Sequence, residues 1–328
     1  MQYDGRLTVQ VRGALLGMAL GVLASQTGAC QSRLTQPIVA PLPDSSTYVA
    51  HRDLVYRERD GRTLLLDAFV PNRPADVPFP TVIFVHGGPL PPSVALQGKD
   101  LGQYQSFARY LTERGLGAVV FSNGFSDLGS FQSARTDVDA AVTYVRTNAE
   151  ALGLDPNRIC LVHMSAGGVF LAPFLEAPAE WLRCVVLYYP VLQPSTLEVL
   201  GAGSVATEQG EGLDPFPHVS PSDGAPSLFI AEAGRDAPAL NAELRRFRDA
   251  AVEAGWSVEY WNHPNGPHGF DALDPSAGSR LIVQRNRVFL QEQLASPGEG
   301  HECVTAVLKC NAPCWLYWAR DRTRCVVR

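Results

Sequence analysis

The chain has 328 residues, 46% of them hydrophobic and 18% charged, a balance that allows one large α/β domain with extensions at its ends. Its formal net charge of −6 is small for that length and no basic run offsets it, so neither nucleic acid nor an anionic membrane surface is expected as a partner. The cysteines, at 30, 160, 184, 303, 310, 314 and 325, follow no zinc-ligand spacing, and no metal or organic cofactor is expected.

Arg6 and Arg12 precede Gly13 to Ala24, a run of small and apolar residues too short to span a bilayer comfortably and suited to an export signal over residues 1–30. The Gly28-Ala29-Cys30 ending is similar to a bacterial lipoprotein signal, which would place a lipid anchor on Cys30. Thr27 stands where such signals usually carry leucine, so cleavage by an ordinary signal peptidase stays open. Either way the chain is expected to be exported, as a periplasmic protein, a membrane-anchored lipoprotein or a secreted one. Residues 31–47 are rich in Pro and Ser without periodicity and read as a tether.

The folded domain is expected over residues 48–295. Asp53 to Arg59 and Arg62 to Val70 flank Asp60-Gly61, a hairpin signal. Pro71 to Pro80 is too proline-rich for a central strand, and Thr81 to Val85 then reads as a buried parallel strand ending in His86-Gly87-Gly88-Pro89. Glycines directly after such a strand either close a turn or aim backbone N–H groups at a developing oxyanion. A helix over Tyr104 to Arg114, a strand over Gly117 to Phe121 and a long helix over Ser133 to Leu152 follow.

Ile159 to Val162 is the next apolar run, and it breaks into His163-Met164-Ser165-Ala166-Gly167-Gly168. A strand that turns sharply into a helix around Ser165 would push its hydroxyl out of the sheet, and small residues on the far side let the helix pass close. His163 stands where the G-x-S-x-G pattern has its first glycine. Read alone, the stretch could also be a strand that happens to end in Ser-Ala-Gly-Gly.

Cys184 to Tyr189 is a further strand, and Cys160 and Cys184 are expected as buried, inert thiols. Pro190 to Pro226 shows no clear period and reads as a small lid, which implies a shallow or open pocket. Ser227 to Ala231 is a strand whose following turn carries Asp236, with Pro238 opening a helix over Ala239 to Ala254. Asp236 is either a triad acid or a carboxylate set against a helix dipole. Trp256 to Trp261 is the last strand. In the loop after it His268, between Pro267 and Gly269, can be aimed, whereas His263 reads as structural. Ser279 to Leu294 closes the domain as a helix, and residues 296–328 form a Cys-rich tail of unassigned role.

Glycine loop, serine, acid and histidine thus follow in order, each after an expected strand, and the Ser, Asp, His order is that of α/β-hydrolases. Through H-G-G-P at 86–89, H-M-S-A-G-G at 163–168, G-R-D-A-P at 234–238 and P-H-G-F at 267–270, residues 53–294 resemble an α/β-hydrolase of the carboxylesterase and dienelactone-hydrolase-like group. The resemblance implies a mostly parallel central sheet with helices on both faces. It implies Ser165 as nucleophile, His268 as general base then acid, Asp236 as its orienter, and the N–H groups of Gly87, Gly88 and Ala166 as the oxyanion hole. The expected activity is hydrolysis of small carboxylic esters, with short acyl chains favoured. A prolyl-oligopeptidase-like peptidase and a non-catalytic binding protein on the same fold are the alternatives.

Overall fold

Eight strands hydrogen-bond into one sheet in the computed structural model, which describes residues 35–74, 77–199, 205–221 and 224–295. They are β1 (Tyr48–Arg59), β2 (Arg62–Pro71), β3 (Phe79–Val85), β4 (Gly117–Phe121), β5 (Leu154–Met164), β6 (Leu182–Tyr188), β7 (Ser227–Ala233) and β8 (Val258–His263), ordered β1-β2-β4-β3-β5-β6-β7-β8. β1 pairs antiparallel with β2 and β2 with β4, and every later neighbour is parallel. The expected mostly parallel sheet is present.

Continuous apolar runs become central strands because helices cover both faces of the sheet. Along β5 the side chains alternate: Ile159 and Leu161 enter one core, Cys160, Val162 and Met164 the other. The first core is closed by α2 (Phe131–Thr147) and α3 (Pro238–Glu253), through Val138, Ala141, Leu244 and Phe247. The second is closed by α1 (Gly102–Thr112) and α4 (Ala277–Leu294), through Phe107, Leu111, Ile282 and Phe289. Each of the larger of these side chains, buried on a face of the sheet, contributes about 1.5–3 kcal/mol.

Because β4 and β5 lie on opposite sides of β3, the chain reverses its direction of travel across the sheet there, and the carboxyl ends of β3 and β5 flank the reversal. Crevices of open α/β sheets form at that point. The registers Val85 with His163, Met164 with Tyr188, and Ala233 with His263 set the loops that follow these strands side by side at one edge.

Several elements depart from expectation. β1 begins at Tyr48 rather than Asp53, and its pairing with β2 shifts around Asp53, whose φ is 53°. The Asp53 carboxylate there meets Lys99 Nζ at 2.8 Å. The long helix stops at Thr147, and Ala149–Leu152 forms a separate turn ended by Gly153 at φ 69°. Cys160 and Cys184 are buried as expected, yet they are not free thiols: they sit opposite each other on β5 and β6, Cα atoms 4.7 Å apart, as a disulfide. From Thr35 onward the stretch read as a tether packs on the domain. Ile38 is buried, its N–H donates to Ser106 Oγ at 2.9 Å, and the Val39 N–H donates to the Asp271 carbonyl at 2.7 Å. The export signal, the lipid anchor at Cys30 and the Cys-rich tail lie outside the described residues.

Candidate active site

Ser165 follows the last residue of β5 with φ at 53°, the left-handed region that residues with a Cβ avoid. A short helical turn, Ser165–Phe170, leads the chain away. Close passage depends on glycine: a Cβ on Gly167 would lie 2.5 Å from the Val85 carbonyl oxygen, and one on Gly168 2.5 Å from that of Val191. His163, the departure from the glycine pattern, is accommodated by turning its imidazole toward the α2 and α3 face. Its Nδ1–H donates to the Gly167 carbonyl at 2.9 Å and so braces the turn around Ser165. Burial lowers the His163 pKa to about 4, which keeps the ring neutral.

The loops after β7 and β8 are joined by backbone. The N–H of Gly234 donates to the His263 carbonyl at 2.9 Å and that of Arg235 to the Gly266 carbonyl at 3.1 Å. His263, expected as structural, is nearly buried, and its Nε2 lies 3.0 Å from both Ser279 Oγ and Asp274 Oδ2, which ties the loop to the start of α4. That scaffold aims His268 between the other two groups: Nδ1 is 2.8 Å from Asp236 Oδ2 and Nε2 is 2.7 Å from Ser165 Oγ. The carboxylate, 8% exposed, accepts from Nδ1–H and selects the tautomer whose Nε2 can take the serine proton.

The glycine loop lies against the serine. A Cβ on Gly87 would sit 2.8 Å from Ser165 Cβ and 3.3 Å from its Oγ. The three expected oxyanion donors are not equivalent. The N–H of Gly87, one of the expected oxyanion-hole groups, donates to the Tyr104 hydroxyl at 3.1 Å. The N–H groups of Gly88 and Ala166 have no hydrogen-bond acceptor among the described residues, and Pro89 has no N–H to offer. His86 holds the loop's shape as a neutral, buried ring: its Nδ1–H donates to the Gly87 carbonyl at 2.7 Å and its Nε2 accepts from the Asn123 N–H at 3.2 Å. Burial lowers its pKa to about 4 as well.

Comparison with known proteins bears on the fold. The BD-FAE family model matches residues 66–176, which span β3, the glycine loop and the elbow. The chain is 29% identical over 153 residues to para-nitrobenzyl esterase of Bacillus subtilis (43% of this chain, 29% of that protein). It is 26% identical over 258 residues to esterase LipQ of Mycobacterium tuberculosis (70% and 59%), so it spans less than two thirds of either relative. Among solved structures, MGS-M1, described as an α/β hydrolase from a deep-sea metagenome, superposes with TM-score 0.58 over 76% of this chain and 99% of that one, at 17% identity.

The chain has the α/β-hydrolase fold.

Within this fold the described part of the insertion read as a lid is fastened down. Gln132 Nε2 on α2 donates to the carbonyls of Gln209 and Glu211 at 3.1 and 2.8 Å, Trp256 Nε1 donates to the Ser220 carbonyl at 2.8 Å, and Leu213 is fully buried. Phe125, Phe131 and Phe170, all buried, pack together beside the glycine loop, and a Cβ on Gly88 would lie 2.6 Å from Phe125 Cδ1. Sequence reading overlooked Tyr104, Phe125, Tyr189, Gln103 and Asp271, all packed around the loops that carry Gly87, Ser165 and His268. The available signals were faint: Tyr189 ends an expected strand before a proline, and Asp271 follows His268 by three residues.

Proposed function

We propose that this hydrolase is a serine esterase that cleaves small carboxylic esters through an acyl-enzyme on Ser165. The observation that carries this reading is the relay of 2.7 and 2.8 Å from Ser165 through His268 to Asp236, built on a serine held at φ 53°. Relatives named as esterases support the substrate class.

The residues' chemistry gives the steps. Ser165 Oγ attacks the ester carbonyl while His268 Nε2 takes its proton, and Asp236 stabilises the imidazolium that forms. The carbonyl oxygen becomes an oxyanion, for which the N–H groups of Gly88 and Ala166 are the donors. Collapse breaks the carbon–oxygen bond to the alcohol, and His268 returns the proton to that leaving oxygen. Water, deprotonated by the same imidazole, then releases the acid and restores Ser165. The packed phenylalanines beside Gly88 and the fastened insertion favour short acyl chains.

Hydrolysis of p-nitrophenyl esters from acetate to palmitate, with wild type and Ser165→Ala in parallel, tests the proposal. Turnover is expected to fall off with chain length, and the variant is expected to lose at least about 10³-fold in kcat. Undiminished hydrolysis by Ser165→Ala would refute the reading.

A further inference from the structure

Tyr189 is the first residue after β6 and carries three costly features at once. Its φ is 37°, a strained value for a residue with a side chain, and is held by an N–H bond to the Ala231 carbonyl at 2.8 Å. Its ring is almost fully buried. Its hydroxyl donates to Asp271 Oδ1 at 2.6 Å, so a phenol is committed to a carboxylate that has no exposure at all. Gln103 Nε2, from the first turn of α1, completes the cluster by donating to Asp271 Oδ2 at 2.6 Å and to the Tyr189 hydroxyl at 2.9 Å. Both Asp271 oxygens therefore face donors, the arrangement that suits an anion. A phenylalanine with an apolar partner would fill the same volume without burying a charge.

The face of this cluster is turned to the catalytic base. The Tyr189 and His268 ring centroids are 4.5 Å apart, with planes at 56°. His268 is 38% exposed on its side chain and is held by hydrogen bonds only at its nitrogens, Nδ1–H donating to Asp236 and Nε2 accepting from Ser165. Those bonds hold the imidazole by its edge, and the Tyr189 ring supports it from the side. An aromatic face also attracts a cation, and so does the carboxylate behind it.

We propose that Tyr189 and Asp271 are positioning residues for His268: the Tyr189 ring, pinned by Asp271 and Gln103, is the wall against which the imidazole stands, and the Asp271 carboxylate favours its protonated form. The inference rests on the esterase reading of Ser165, His268 and Asp236. The proton concerned is the one His268 takes from Ser165 Oγ and later gives to the leaving alcohol; no bond changes at Tyr189 or Asp271. Other titratable groups surround the cluster. Tyr104 on α1 and Tyr188 on β6 are pushed up by burial and by the Asp271 charge, and the His263–Asp274 pair lies beyond the Phe270 ring. Burial raises Asp271 above the usual carboxylate range, with the hydrogen bonds from Gln103 and Tyr189 opposing that rise only in part.

The test combines a direct titration with a kinetic split. The His268 ring is titrated by ¹⁵N NMR in wild type and Asp271→Asn, a readout that needs no substrate. Loss of the carboxylate is expected to lower the His268 pKa by about half a unit or more, equivalent to about threefold in proton affinity, and to move the acid limb of kcat/KM to lower pH by the same amount. Tyr189→Leu is expected to lower kcat on p-nitrophenyl acetate by about tenfold with KM nearly unchanged, and Tyr189→Phe, which keeps the wall, to restore most of it. An unmoved His268 titration in folded Asp271→Asn, or equal kcat for the Leu and Phe variants, would overturn the proposal. Failure of the underlying esterase reading is a separate event, seen when Ser165→Ala leaves ester hydrolysis intact.

Discussion

At Ser165 the backbone and the chemistry ask for different residues. The left-handed conformation costs a side-chain-bearing residue roughly 1–2 kcal/mol, which glycine would avoid, whereas the proposed acyl transfer needs a hydroxyl there. His163 helps to hold that strain, and its burial makes a second cost visible through pH. Its pKa falls from 6.5 to about 4 in the fold, so between those values the unfolded chain binds a proton that the folded one refuses. The associated stability is complete above pH 6.5 and drains away as pH falls toward 4. His163→Leu, which cannot titrate, should lose roughly 1.4 kcal/mol less per pH unit than wild type across that window. Urea denaturation at pH 7 and pH 4.5 measures the difference, and parallel losses in the two proteins would contradict a neutral, buried His163. Ser165, Asp236 and His268 could be read from sequence because each stands among small or rigid residues directly after an apolar run. Tyr189 and Asp271 could not, since their proximity to His268 exists only once β6 and the turn Phe270–Leu273 are packed together.

Among the elements, the parallel strands were the most legible and the insertion over 190–226 the least. β3, β4, β6 and β7 are continuous apolar runs because both faces of each are covered, and no other local structure suits so short a run. The insertion has no period to read, because what orders it comes from distant helices. Glu243 on α3 is one such contact: nearly buried, it accepts the Leu192 N–H at 3.2 Å and reaches Thr196 in the short helix Pro194–Val199. Burial raises its pKa from 4.5 to about 7, so its contribution is complete below pH 4.5 and is lost as pH rises through 7. Glu243→Gln should therefore gain on wild type as pH rises from 4.5 to 8, by up to roughly 3 kcal/mol. Thermal unfolding at pH 5 and pH 8 reads the crossover, and a constant difference between the two proteins would rule out an ionisable, buried Glu243.

Over the whole molecule, one sheet edge gathers residues that lie far apart in sequence. The glycine loop follows β3, the serine β5, the acid β7 and the histidine β8, and register alone makes these four ends neighbours. This is why the order of motifs could point to a fold before any contact was known, while the fate of each backbone donor could not be foreseen. Gly87 illustrates the limit: its N–H is taken by Tyr104 on α1, an element whose position depends on the opposite face of the sheet. The most direct measurement of the central claim is mass-spectrometric peptide mapping after reaction with a fluorophosphonate, using wild type and His268→Gln. A single adduct on Ser165 in wild type, formed at least about 10³-fold more slowly in the variant, is the expected result, because an unassisted serine hydroxyl is a weak nucleophile. An adduct on another residue, or equal labelling in both proteins, would contradict it.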